Sequence, residues 1–104
     1  MAYYIVSYDL HKERHYKPVW DTLEGLGAAR LLESLWVLTS NLSAVQLRDT
    51  MQAVIDSDDS VAVIELKPGS WWACTRAKEP GVAWLRQNIA GKSQPIGSVP
   101  SLGF

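Results

Sequence analysis

The stretch Tyr3-Tyr4-Ile5-Val6-Ser7-Tyr8-Asp9-Leu10 decides how this chain is read. Aromatic and β-branched residues dominate it, as suits a strand on a pleated, half-buried surface. It runs directly into His11-Lys12-Glu13-Arg14-His15, a cluster of ionisable side chains. A carboxylate at the end of a buried strand is held rigidly at the protein surface. The basic and imidazole groups behind it suit anion binding or proton transfer. One Asp does not define a chemistry, so the other elements must say what surrounds it.

Pro18 fits the first turn of a helix, and Val19, Leu23 and Leu26 recur at helical spacing beside Tyr16 and Trp20. Gly25 and Gly27 end that helix. Residues 28–39 are extended, as either one long bent strand or a tight hairpin near Glu33-Ser34. A second helix is marked by a Ser43/Gln46 capping box and by Leu42 and Leu47 at the positions of a hydrophobic staple. Its expected buried stripe is Ala44, Leu47, Met51, Val54 and Ile55. The polar turn Asp56-Ser57-Asp58-Asp59-Ser60 leads to a strand, Val61 to Leu66, whose nearly unbroken apolar run predicts cover on both faces. After the Lys67-Pro68-Gly69-Ser70 turn, a third helix is expected from Pro80 to Ala90, with Val82, Leu85 and Ile89 inward and Gly91 as its stop.

This order predicts an α+β protein, a ferredoxin-like β-α-β-β-α-β sandwich with a C-terminal extension. The expected organisation is one domain over residues 1–90, with an appended segment from about residue 67 and a flexible or partner-held tail over 91–104. In that topology the first and last strands are antiparallel neighbours. Asp9 and the Asp56/Asp58/Asp59 group then face the same rim.

The chain has 104 residues, enough for one core yet small enough to gain from dimerisation. Its formal net charge of -1 argues against broad charge-driven coating of nucleic acid and leaves room for a local basic patch. Cys74 stands alone, so no disulfide framework is expected, and a reducing cytoplasm is the simplest location. Ser7 and Asp9 break the first apolar run too early for a signal peptide, and no run has the length of a membrane span.

Tyr8-Asp9-Leu10, Arg14, the segment Leu32-Glu33-Ser34-Leu35-Trp36, and Asp58-Asp59-Ser60-Val61 together resemble the CRISPR-associated protein 2 family, relatives of virulence-associated protein D. The resemblance covers roughly residues 3 to 66 and leaves the tryptophan-rich part after residue 70 outside. It implies a homodimer whose two sheets meet, with Asp9 of each protomer near the two-fold axis. It also implies metal-dependent cleavage of RNA or DNA phosphodiesters in some members and a non-catalytic DNA scaffold in others. A stand-alone relative fits the same residues.

Asp9 is therefore the candidate catalytic residue. Mg²⁺ or Mn²⁺ needs several hard oxygen ligands, supplied by a second Asp9 or by Asp58 and Asp59 of the same protomer. The plainer reading makes Asp9 a cap or a partner of Lys12 or Arg14. His11 and His15 suit acid–base work or a solvated surface. Lys12, Arg14, Lys17 and Arg30 are the candidate nucleic-acid-binding residues, set against an ordinary solvated helix start. Asp56, Asp58 and Asp59 lack the spacing and closing Glu of a calcium loop. Trp71 and Trp72, as neighbours on a strand, point opposite ways, so one is expected at an interface or free for base stacking. Cys74 has no base nearby in sequence and reads as inert. The leading expectation is a dimeric metal-dependent endonuclease; the rival is a dimeric adaptor that binds nucleic acid or protein without cleaving it.

Overall fold

The computed structural model describes residues 1–11 and 16–89. The elements are β1 (Ala2–Asp9), α1 (Tyr16–Gly25), β2 (Ala29–Leu32), β3 (Leu35–Ser40), α2 (Ala44–Gln52), β4 (Ser60–Leu66) and α3 (Glu79–Asn88). The strands form one sheet in the order β2-β3-β1-β4, with every neighbouring pair antiparallel. This is the expected ferredoxin-like α+β sandwich, with α3 added.

Alternation along β1 sorts the two faces. Tyr4, Val6 and Tyr8 are buried with Val19 and Leu23 of α1, Trp36 and Leu38 of β3, and Leu47 and Met51 of α2. Tyr3 and Ile5 point the other way, toward a second core of Leu31, Val37, Trp84, Leu85 and Ile89. Tyr3 meets Trp84 edge to face, with ring centroids 5.8 Å apart. The chain's own third helix thus covers the second sheet face, over β2 and β3.

This corrects the reading of β4 as a strand covered on both sides. Val61 and Val63 face α1 and α2 and are half-buried, while Ala62 is exposed and Ile64 is 56% exposed. The reason is position: β4 is the sheet edge, and α3 lies over the opposite half.

Residues 28–39 form a hairpin with a two-residue turn at Glu33-Ser34. Tyr8 N–H donates to the Ser34 carbonyl at 3.1 Å, and the Arg30 guanidinium donates to the Glu33 carbonyl at 2.8 Å. These bonds hold the turn against β1 while the β2–β3 ladder shifts register between Arg30 and Leu32.

The capping box of α2 is present in both directions: Gln46 N–H donates to Ser43 Oγ, and Ser43 N–H donates to Gln46 Oε1. The helix ends at Gln52, so Val54 and Ile55 reach the core from the following turn rather than from the helical stripe. In α3 the buried residues are Gly81, Trp84 and Leu85, and Val82 is only partly buried. A Cβ at Gly81 would lie 2.5 Å from Leu31 Cα and 2.7 Å from the Arg30 carbonyl oxygen, so α3 rests directly on the β2 backbone. Lys78 N–H donates to the Leu31 carbonyl at 2.9 Å, fixing the start of the helix to the same strand. The expected Gly91 stop, the tail over 91–104, and Lys12, Arg14 and His15 lie outside the described residues.

Candidate functional site

The β1–β4 register places Asp9 opposite Ser60, so the sequence-predicted acids do share one rim. Asp59 organises it. Its Oδ1 accepts the His11 backbone N–H at 2.8 Å and its Oδ2 accepts the Asp56 N–H at 2.9 Å. One carboxylate therefore ties the end of β1 to the loop that leads into β4. Asp56, Asp58 and Asp59 each offer an oxygen within 4.8 Å of the others. Asp9 is exposed on the neighbouring strand and is not one of that trio.

Asp9 stands between two depressions, each with a volume of about 410 Å³. Ser7, Ser34, Ser60 and Ala62 line one of them. Leu10, Tyr16, Trp20 and Glu33 line the other. The wall between them is rigid because Tyr8 has its hydrogen bonds filled. Its hydroxyl accepts the indole N–H of Trp20 at 2.9 Å and of Trp36 at 3.2 Å, and it donates to the Glu33 carbonyl at 3.2 Å. Tyr16 stacks on Trp20, with centroids 5.6 Å apart and planes 21° from parallel.

The expected basic patch is largely committed elsewhere among the described residues. The Arg30 guanidinium lies 4.4 Å from the Trp20 ring centre and 5.4 Å from that of Trp36, and it pairs with the Glu33 carboxylate at 3.4 Å. It serves as a cation over aromatic faces. Lys17 pairs with Asp21 at 2.7 Å. The hydrogen bond that Lys17 donates to Asp21, and then the Asp21 charge, raise the Lys17 ammonium above its ordinary pKa. Among the described residues, the exposed chemistry at the rim is accordingly acidic.

Trp71 and Trp72 lie in irregular chain after the 67–70 turn rather than on a strand, so strand alternation is not what separates them. Trp71 is 59% exposed, whereas the Trp72 indole packs on the second core and donates to the Ile89 carbonyl at 3.2 Å. Cys74 is exposed at its surface, and partial desolvation holds its thiol above the ordinary value, which opposes reactivity. The exposed His11 contributes its backbone N–H to the loop bond with Asp59.

Sequence reasoning missed the Tyr8 hydroxyl junction, the seating of Arg30 on two indoles, and Gly81. A signal existed for the last: a Gly one residue after Pro80, among the inward positions of a helix, marks a close approach.

Fold and rim together define a ferredoxin-like α+β protein with a carboxylate-rich corner where β1 ends and β4 begins. No family model matches the chain. The crystal structure of a hypothetical protein, TT1823 from Thermus thermophilus, is similar, with a TM-score of 0.60 and 17% identity over 76% of this chain and 96% of that one. At that identity the likeness shows the fold alone.

Proposed function

We propose that this chain is a divalent-metal-dependent endonuclease acting on RNA or DNA phosphodiesters, with Asp9 as the key carboxylate. The observation that carries the reading is the β1–β4 register, which sets Asp9 opposite Ser60, the residue that follows Asp58 and Asp59 in the chain. The donor set is hard oxygen throughout, which fits Mg²⁺ or Mn²⁺ better than a softer ion. The carboxylates of the described rim repel a phosphodiester, so a cation between the two favours binding as well as chemistry. When bound, such an ion supplies an activated water and offsets charge on the phosphate.

The chain's own residues do the remaining work in this reading. Asp9 orients the metal-binding edge from the end of a rigid strand, and Asp59 keeps the acidic loop against it. Lys12 or Arg14, directly after the strand, holds phosphate. The resemblance to the CRISPR-associated protein 2 family supports Asp9 in this role. Of the two ways to complete the acid set, Asp58 and Asp59 of the same protomer are favoured over a second Asp9. The reason is that α3 occupies half of the sheet face through which two sheets would meet. A reducing cytoplasm fits the lone Cys74, and no helix among the described residues is long and apolar enough to cross a membrane.

The test is cleavage of labelled single-stranded RNA, single-stranded DNA and duplex DNA with Mg²⁺ or Mn²⁺, against an EDTA control. Expected is EDTA-sensitive cleavage that disappears in Asp9→Ala while the fold persists; no cleavage with either metal ends the enzyme reading. The exposure of Trp71 favours a second reading, a non-catalytic adaptor for nucleic acid or protein. Under that reading Asp9→Ala changes nothing and Trp71→Ala weakens partner binding.

A further inference from the structure

We propose that the aromatic depression beside Asp9 is a base-binding pocket that takes an unpaired guanine. It is the hollow of about 410 Å³ lined by Leu10, Tyr16, Trp20 and Glu33, and each of its lining residues is among the described ones. That volume lies within the range of small-ligand sites, about 300–1,000 Å³. The rings on its wall are fixed before any ligand arrives. Tyr16 stacks on Trp20 with centroids 5.6 Å apart, and the Trp20 indole N–H is taken up by the Tyr8 hydroxyl at 2.9 Å. Stacking on aromatic side chains is a general way of holding unpaired bases.

The polar lining chooses among the ligands that an aromatic wall accepts. The Tyr8 hydroxyl already accepts two indole N–H groups and donates to the Glu33 carbonyl, so its bonding capacity is full. What remains is the carboxylates of Asp9 and Glu33 and the Ser34 hydroxyl. Glu33 is the acceptor peculiar to this depression, because Asp9 and Ser34 also line its neighbour. Arg30 stands 3.4 Å from one Glu33 oxygen and Lys78 stands 3.2 Å from the other. Each carboxylate oxygen has two lone pairs, so these cations fix the group in place and leave an acceptor site on each oxygen.

A ligand suited to this lining is planar and presents two adjacent N–H donors. On their pairing edges, guanine alone among the bases does so, through N1–H and the 2-amino group, which match the two oxygens of one carboxylate. A phosphate is repelled by the same carboxylates. An organic cation finds Trp20, the better of the two rings for it, already in use: the Arg30 guanidinium lies 4.4 Å from its centre. Glu33 takes the edge that would otherwise pair with cytosine, so the guanine must be unpaired. The depression shares Asp9 with the acidic rim, which seats the base next to the phosphodiester that the rim engages; this last placement rests on the nuclease reading. The substrate class is then single-stranded RNA or DNA, cut beside a guanine.

Binding and cleavage are measured separately, so that either can fail alone. Guanosine, inosine, adenosine, cytidine and uridine are titrated in EDTA into the ¹⁵N-labelled full chain, and the Trp20 indole and the Leu10 and Ser34 amide signals are followed. Guanosine should shift these signals and bind about tenfold or more tightly than inosine, which lacks the 2-amino group, or the other three. Glu33→Gln, at a side chain 82% exposed, should abolish that preference, and Tyr16→Ala should weaken all five nucleosides. Circular dichroism confirms that each variant is folded. No shift at millimolar guanosine overturns the pocket, as do equal affinities for guanosine and inosine, a preference that survives Glu33→Gln, or tighter binding of tetramethylammonium at the same signals. Guanosine binding without cleavage of any strand removes the nuclease reading and leaves the pocket. Metal-dependent cleavage without guanosine binding does the reverse.

Discussion

Replacing Gly81 with Ala sets two effects of known sign against each other. Intrinsic propensity favours Ala over Gly inside a helix by about 1 kcal/mol. The structure opposes it: the new methyl would lie 2.5 Å from Leu31 Cα and 2.6 Å from Leu31 Cβ. Carbon atoms settle at about 3.5–4.0 Å, so α3 must retreat by roughly 1 Å. The obstacle is strand backbone, which cannot rotate aside as a side-chain tip can. A retreat of that size forfeits about a quarter to a half of each dispersion contact made by Trp84, Leu85 and Ile89. Overpacking of this kind costs about 1–3 kcal/mol and more against backbone, so a net loss of about 2 kcal/mol is expected. For a domain of this size that lowers Tm by about 8–16 °C. Gly25, the last residue of α1, is the control, since a Cβ there meets nothing within 4 Å, and Gly25→Ala should leave Tm unchanged or raise it slightly. Thermal melts followed by far-ultraviolet circular dichroism read both variants, with near-ultraviolet signals reporting Trp84. A Gly81→Ala protein as stable as the parent, or more stable, would refute the close docking of α3 on β2.

Three further outcomes follow from the same structure. Tyr8→Phe removes the acceptor shared by the Trp20 and Trp36 indoles and should cost about 1–3 kcal/mol in urea unfolding, with a changed tryptophan emission spectrum; an unchanged midpoint contradicts the junction. Ser43→Ala removes the Oγ that accepts the Gln46 N–H, while the residue 43 backbone N–H can still donate to Gln46 Oε1. It should cost about 1 kcal/mol, whereas Ser57→Ala in the neighbouring loop serves as a near-neutral comparison. Partial desolvation holds the Cys74 thiol above its ordinary value, so its reaction with a disulfide reagent at pH 8 should be slower than in the urea-unfolded chain and should accelerate as pH is raised. Equal rates in the folded and unfolded chains would contradict that environment.

Much of the architecture was legible because local signals agreed. The aromatic, β-branched opening strand, the Ser43/Gln46 box and the Pro18 helix start each specify an element within a few residues of itself. The hairpin at Glu33-Ser34 was not decidable, because Tyr8 N–H and the Arg30 guanidinium, which hold the turn, act across the fold. The apolar run of β4 misled for a related reason: periodicity reports which residues avoid water, not which neighbour covers them. Of the site, the shared rim of Asp9 and the acidic loop followed from topology alone. The committed state of Arg30 did not, since its partners Trp20 and Trp36 come from α1 and β3.

The central claim is that Asp9 and the Asp58–Asp59 edge hold one divalent cation. Paramagnetic broadening tests it most directly: Mn²⁺ is titrated into the ¹⁵N-labelled protein while amide signals are followed. The account predicts early, selective loss of the amides of residues 9–11 and 58–60, and a weakening of that effect by about tenfold or more in Asp9→Asn. Broadening confined to the 56–59 loop and unchanged by Asp9→Asn, or none at millimolar Mn²⁺, would contradict it.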